Sequence, residues 1–149
     1  LWAYGGGALL MFSIWMQVQM TVALNTWYGR FYDLLQNSAD YVEKPQEGIA
    51  LFYQELISID YVRNGFEGDP SFLVIASPYV ILATLTAWFT SIYALRWRQA
   101  MTWNYIPRWR NVEQEIEGAS QRIQEDCYRF AKIIESLGLQ IVRAIMTLI

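Results

Sequence analysis

Two long stretches without a charged side chain decide what this chain can fold into. Residues 1–29 contain no Asp, Glu, Lys or Arg, and residues 71–95 repeat the pattern over 25 positions. As helices rising ~1.5 Å per residue they extend about 43 Å and about 37 Å, against a hydrocarbon core ~30 Å thick. Both are expected to span a membrane, and the first is long enough to tilt or protrude. A full span fits it better than a leader peptide, because no basic segment stands before its apolar run. The overall share of hydrophobic residues, 54%, understates this, since it averages apolar blocks with two charged segments between them.

What is missing narrows the function. There is no His and one cysteine, Cys127, which removes His-based nucleophilic catalysis, ordinary zinc ligation and an intrachain disulfide. No phosphate-binding GxxxxGK[ST] string occurs, and Gly5-Gly6-Gly7 lies within an apolar run with no strand before it. That triplet suits close packing of helices. A net charge of −3 gives no reason to expect a nucleic-acid partner. No catalytic residue, metal ligand or cofactor is predicted; the lipid bilayer is the expected surroundings.

The first span is expected over residues 1–35. Gln17, Gln19, Thr21 and Asn25 interrupt its second half, and polar groups there face other helices or water, which makes Gln17 and Asn25 candidate cavity residues. It closes on Trp27, Tyr28, Phe31 and Tyr32, which read as an aromatic belt, the other reading being contact with a hydrophobic ligand. Residues 36–70 read as a loop outside the membrane, with a short interfacial helix where Leu51, Phe52, Leu56 and Ile59 recur at helical spacing. Asp69-Pro70 is the expected start of the second span, 71–102, which Pro78 should kink. Residues 103–127 form a loop on the other side, and a third span begins within 128–149. The chain opens on Leu1 and stops at Ile149 inside apolar segments, so it reads as a fragment of a longer protein. Between Arg30 and Pro70 three basic residues stand against eight acidic ones; between Arg96 and Lys132 seven stand against five. The excess of Lys and Arg places the second segment in the cytoplasm.

Four strings go beyond pattern. They are Ala23-Leu24-Asn25-Thr26-Trp27-Tyr28-Gly29-Arg30-Phe31-Tyr32-Asp33-Leu34-Leu35-Gln36, Arg96-Trp97-Arg98-Gln99-Ala100-Met101, Glu117-Gly118-Ala119-Ser120-Gln121-Arg122-Ile123-Gln124-Glu125-Asp126 and Ala144-Ile145-Met146-Thr147-Leu148-Ile149. Together, and in this order, they resemble the SbmA/BacA family of bacterial inner-membrane peptide transporters; residues 37–70 depart from the family pattern, being longer and more acidic. The resemblance implies an all-α, multi-pass protein with long helices of the ABC exporter transmembrane-domain type, three spans being present here. It implies a homodimer that takes up peptides and peptide antibiotics on the proton gradient, not an enzyme. Two other readings stay open: the membrane half of an ATP-driven exporter whose nucleotide-binding domain lies beyond residue 149, and a membrane scaffold that transports nothing.

In that fold residues 111–126 form a cytoplasmic coupling turn, with Gly118 allowing the bend, Gln121 and Arg122 anchoring it, and Glu125 and Asp126 in the same segment. The plainer reading pairs Glu125 and Asp126 with Arg129 at helical spacing on a solvated face. Proton coupling needs an acid that burial can tune and that meets each side of the membrane in turn. Glu135 is the leading candidate, followed by Glu117 and Glu125. An ion pair with Lys132 is the competing role for Glu135. Arg143, inside an apolar stretch, reads as facing either a cavity or a dimer contact.

Overall fold

A computed structural model describes residues 2–110 and 118–148, and every element among them is helical. Helix α1 runs Trp2–Gln36 and passes into a 3₁₀ turn, Asn37–Tyr41. Two short helices follow, α2 over Pro45–Ile57 and α3 over Asp60–Arg63. Helix α4 covers Phe72–Arg110. After the residues not described come α5, Ala119–Ile133, a π-helical turn, Ile134–Gly138, and α6, Leu139–Leu148.

Helices α1 and α4 are long and apolar enough to cross a membrane, and only 17% and 11% of their apolar windows are buried within the chain. A core helix of a water-soluble protein would bury most of that surface. Helix α4 continues through Pro78 and then past Leu95 to Arg110, about 22 Å beyond its last uncharged residue at ~1.5 Å per residue. The missing amides of its two prolines, Pro78 and Pro107, are tolerated because the rest of the ladder holds the segment.

Hydroxyl groups inside these helices are satisfied locally. Ser13, Thr21, Thr26, Thr84, Thr90 and Thr102 each donate to the carbonyl four residues back. Lipid offers no partner for a hydroxyl, so a bond within the same helix is the one that costs nothing in packing.

The described residues form two compact units. In the unit spanning Met16–Thr84 the aromatic end of α1 is the core. Trp27 is 4% exposed, and its indole N–H donates to the Glu55 carbonyl at 2.8 Å. Its ring lies 4.9 Å from both Phe31 and Phe72. Of the aromatic cluster, Tyr28 and Tyr32 are exposed, whereas Trp27 is buried within the chain. Arg30 donates to the Pro70 carbonyl at 2.8 Å and reaches Asp69 at 3.3 Å and Glu55 at 3.5 Å. Asp69 is thus engaged by Arg30, and the first turn of α4 is closed by the Ile75 amide on the Ser71 carbonyl. That moves the start of α4 to Phe72, two residues beyond the expected proline. Buried Ser71 donates to the Ser58 carbonyl at 2.6 Å, tying the approach to α4 to the end of α2. Helix α2 contains Leu51, Phe52 and Leu56 of the expected periodic set and ends at Ile57, so Ile59 falls between it and α3.

The other unit joins residues 2–15 to 85–148. Gly6 lets α1 approach α4: a Cβ there would stand 2.8 Å from a ring carbon of Tyr93. The Tyr93 hydroxyl donates to the Ala3 carbonyl at 2.9 Å, and Trp2 stacks on the same ring at 5.1 Å. Of the glycine triplet, Gly6 and Gly7 face Tyr93, whereas Gly5 has open space around it. Leu10, Ile14, Thr90 and Ala94 are buried from the two long helices, and Cys127 and Ala131, one turn apart, from α5. Small residues at these positions permit close helix contact. Gly118 opens α5 with φ of 78°, a left-handed conformation suited to glycine, and its carbonyl accepts the Arg122 amide at 3.0 Å.

Candidate functional site

One hydroxyl breaks the local pattern. Ser91, on α4, donates across to the Glu135 carboxylate at 2.8 Å. Glu135 sits in the π-helical turn Ile134–Gly138, where five residues per hydrogen-bonded turn rotate side chains away from the α-helical register. Such turns recur at functional positions because they aim one side chain at the cost of a weakened ladder.

Glu135 borders two cavities. The first, about 230 Å³, is almost wholly apolar and is bounded by Leu10 and Ile14 of α1, Thr90 and Ala94 of α4, and Leu139 of α6. The second, about 190 Å³, lies against Leu95 and Arg98 of α4 and Tyr128 and Lys132 of α5. A half-buried carboxylate between an apolar chamber and a cationic one, held by a single neutral donor, can accept a proton or a cationic group without breaking an ion pair.

The ion pair with Lys132 weighed in the sequence is absent among the described residues: the Lys132 ammonium lies 5.8 Å from the centre of the Tyr128 ring. Arg98 approaches the same ring at 5.2 Å. Glu125 pairs with Arg129 at 2.6 Å, as helical spacing of four permits. Asp126, Gln121 and Arg122 are exposed along α5. Glu117 lies outside the described residues. Gln17 is buried and Asn25 is exposed, while Arg143 is exposed on α6. Ser91, Glu135 and the cations Arg98 and Lys132 therefore gather around one helix pair, and Gln17, Asn25 and Arg143 are not among the residues that line it. No group of His, Cys, Asp and Glu able to hold a metal ion occurs among the described residues.

Sequence reasoning missed Ser91, since nothing distinguishes it from the other hydroxyls of an uncharged run. It also missed Arg98 and Tyr128 as partners. Their alignment follows from an antiparallel pairing of α4 with α5 that brings residue 91 beside 135 and 98 beside 128.

Two very long helices with apolar, largely unburied surfaces and internally satisfied hydroxyls are consistent with a helical membrane protein. The profile of the SbmA/BacA-like family matches residues 1–149, the whole chain, and the chain belongs to that family. Membership points to peptide transport and to a transporter rather than an enzyme.

Proposed function

We propose that this chain is part of a proton-coupled transporter that carries peptides and peptide antibiotics across the bacterial inner membrane. The working unit is a homodimer with the transmembrane fold of ABC exporters. Helices α1 and α4 are two of its spans, and the segment from α5 through α6 leads into a third. The basic excess of residues 96–132 puts that end of α4 in the cytoplasm.

The observation that carries this reading is the position of Glu135. Its carboxylate borders an apolar cavity and a cationic one, on a π-helical turn, and among the described residues it is bound by the Ser91 hydroxyl alone. A proton carrier must be able to change charge without dismantling the helices around it, and a carboxyl bound by one neutral donor meets that demand. In this reading Ser91 positions the carboxylate beside the two cavities. Glu125, committed to Arg129, acts as part of the surface that couples α5 to its surroundings.

The test is uptake of a labelled antimicrobial peptide by cells expressing the full-length gene, with and without a protonophore, for wild type and Glu135→Gln. Uptake that the protonophore abolishes, and that the variant lacks while still reaching the membrane, is the expected result. Uptake indifferent to the protonophore, or intact in Glu135→Gln, refutes the mechanism.

A further inference from the structure

We propose that Arg98 and Lys132 form a binding site for the headgroup of an anionic phospholipid. The two cations come from different helices, α4 and α5, and converge on one ring, lying 5.2 and 5.8 Å from the centre of Tyr128. Their charges are therefore no more than about 11 Å apart. Among the described residues neither makes an ion pair, although Arg30 and Arg129 both do. The Glu135 carboxylate borders the same cavity and accepts from Ser91, without an ion pair to either cation among the described residues. Two unneutralised cations held close together repel, and a shared anion relieves that repulsion.

Position selects the anion. Arg98 is the third residue beyond the uncharged run of α4, and Lys132 stands immediately before Ile133 and Ile134. Both charges are thus at the level where the apolar surface begins, the depth of lipid phosphates. Exposed Leu95, Ile133 and Leu137 flank the pair and offer an acyl chain an apolar surface. Basic pockets between helices on the cytoplasmic side, where the leaflet carries negative charge, favour acidic lipids. Tyr128 keeps the two side chains in place through cation–π contacts and so presents them ready-formed.

The inference rests on the membrane reading of the helices and not on transport. The full natural chain, purified in mild detergent, is melted in the presence of phosphatidylglycerol, phosphatidylcholine or sodium phosphate. Phosphatidylglycerol alone is expected to raise the melting temperature by several degrees. The double variant Arg98→Gln, Lys132→Gln should bind it at least fivefold more weakly, whereas Arg96→Gln, whose cation lies over Trp2, should match wild type. Equal stabilisation by phosphatidylcholine, or an equal loss in Arg96→Gln, overturns the site. Stabilisation by phosphate alone makes it a free-anion site and overturns the lipid assignment. Should the double variant not fold, a photoactivatable phosphatidylglycerol on the wild-type protein replaces it: adducts around residues 95–98 and 128–133 support the site, and their absence there overturns it. Binding to vesicles of both lipids alike leaves the membrane reading intact and removes only the site, whereas a chain that stays in buffer without detergent and binds neither vesicle removes both.

Discussion

Replacing Arg30 by Met tests whether one guanidinium fastens the end of α1 to the segment entering α4. The methionine stem retains most of the packing, so the loss is that of the polar contacts. The strongest is the donation to the Pro70 carbonyl at 2.8 Å, from a side chain only 24% exposed. A charged donor on a partly buried carbonyl contributes about 1.5–3 kcal/mol. The contacts with Asp69 and Glu55 are longer, at 3.3 and 3.5 Å, and Asp69 is 72% exposed, so they add roughly 0.2–1 kcal/mol each after solvent screening. The sum is about 2–5 kcal/mol, which at this chain size lowers a melting temperature by on the order of 5–20 °C. The assay is thermal unfolding of the purified protein in detergent, followed by tryptophan fluorescence at low and at high salt. Most of the loss should persist at high salt, because the carbonyl contact is not an ion pair. Arg30→Lys should recover part of it, having the charge without the planar fork. A melting temperature within about 1 °C of wild type, or a loss that salt erases, would show that the guanidinium merely sits among carboxylates.

At Gly6, Ala should cost about 1–3 kcal/mol through overpacking against Tyr93, while Gly5→Ala, with open space, should be neutral or stabilise by up to ~1 kcal/mol; paired melting curves check the contrast. Ser91→Ala removes the single donor to Glu135 and should slow peptide uptake roughly fivefold with the melting temperature nearly unchanged, so wild-type uptake rates in that variant would count against the pairing. Gly118→Ala places a Cβ at φ of 78° and should destabilise the start of α5 by about 1–2 kcal/mol, seen as faster proteolysis near that residue, with Gly118→Asn milder.

How much of this was legible in the sequence depends on the range of the interaction. The uncharged runs over 1–29 and 71–95 announce α1 and α4 because lipid tolerates so few charges that their absence is a signal in itself. The repeat of Leu51, Phe52 and Leu56 marks α2, a local effect of helical period. Glu135 stands out as an acid in an apolar pattern. What stays hidden is pairing. Arg30 and Trp27 have the composition of a membrane surface, and nothing within a few positions reveals that Asp69, 39 residues away, or the carbonyl of Glu55, 28 away, receives them. Asp69 looked like a helix cap for the same reason, since local grammar assigns a carboxylate to the nearest free amides unless a distant cation claims it. The π-helical turn Ile134–Gly138 has no signature in the sequence pattern either. Residues 111–117, which include Glu117, lie outside what the structure describes.

The self-satisfied hydroxyls of α1 and α4 bear on motion as well as on solubility in lipid. A helix whose Ser and Thr side chains are bound to its own backbone offers neighbours a surface with no polar allegiance. Those side chains keep their partner whatever neighbour passes them. Two hydroxyls of α4 reach outward instead, Tyr93 to the Ala3 carbonyl and Ser91 to the Glu135 carboxylate. They are the points at which a shift of α4 against its neighbours would cost a hydrogen bond.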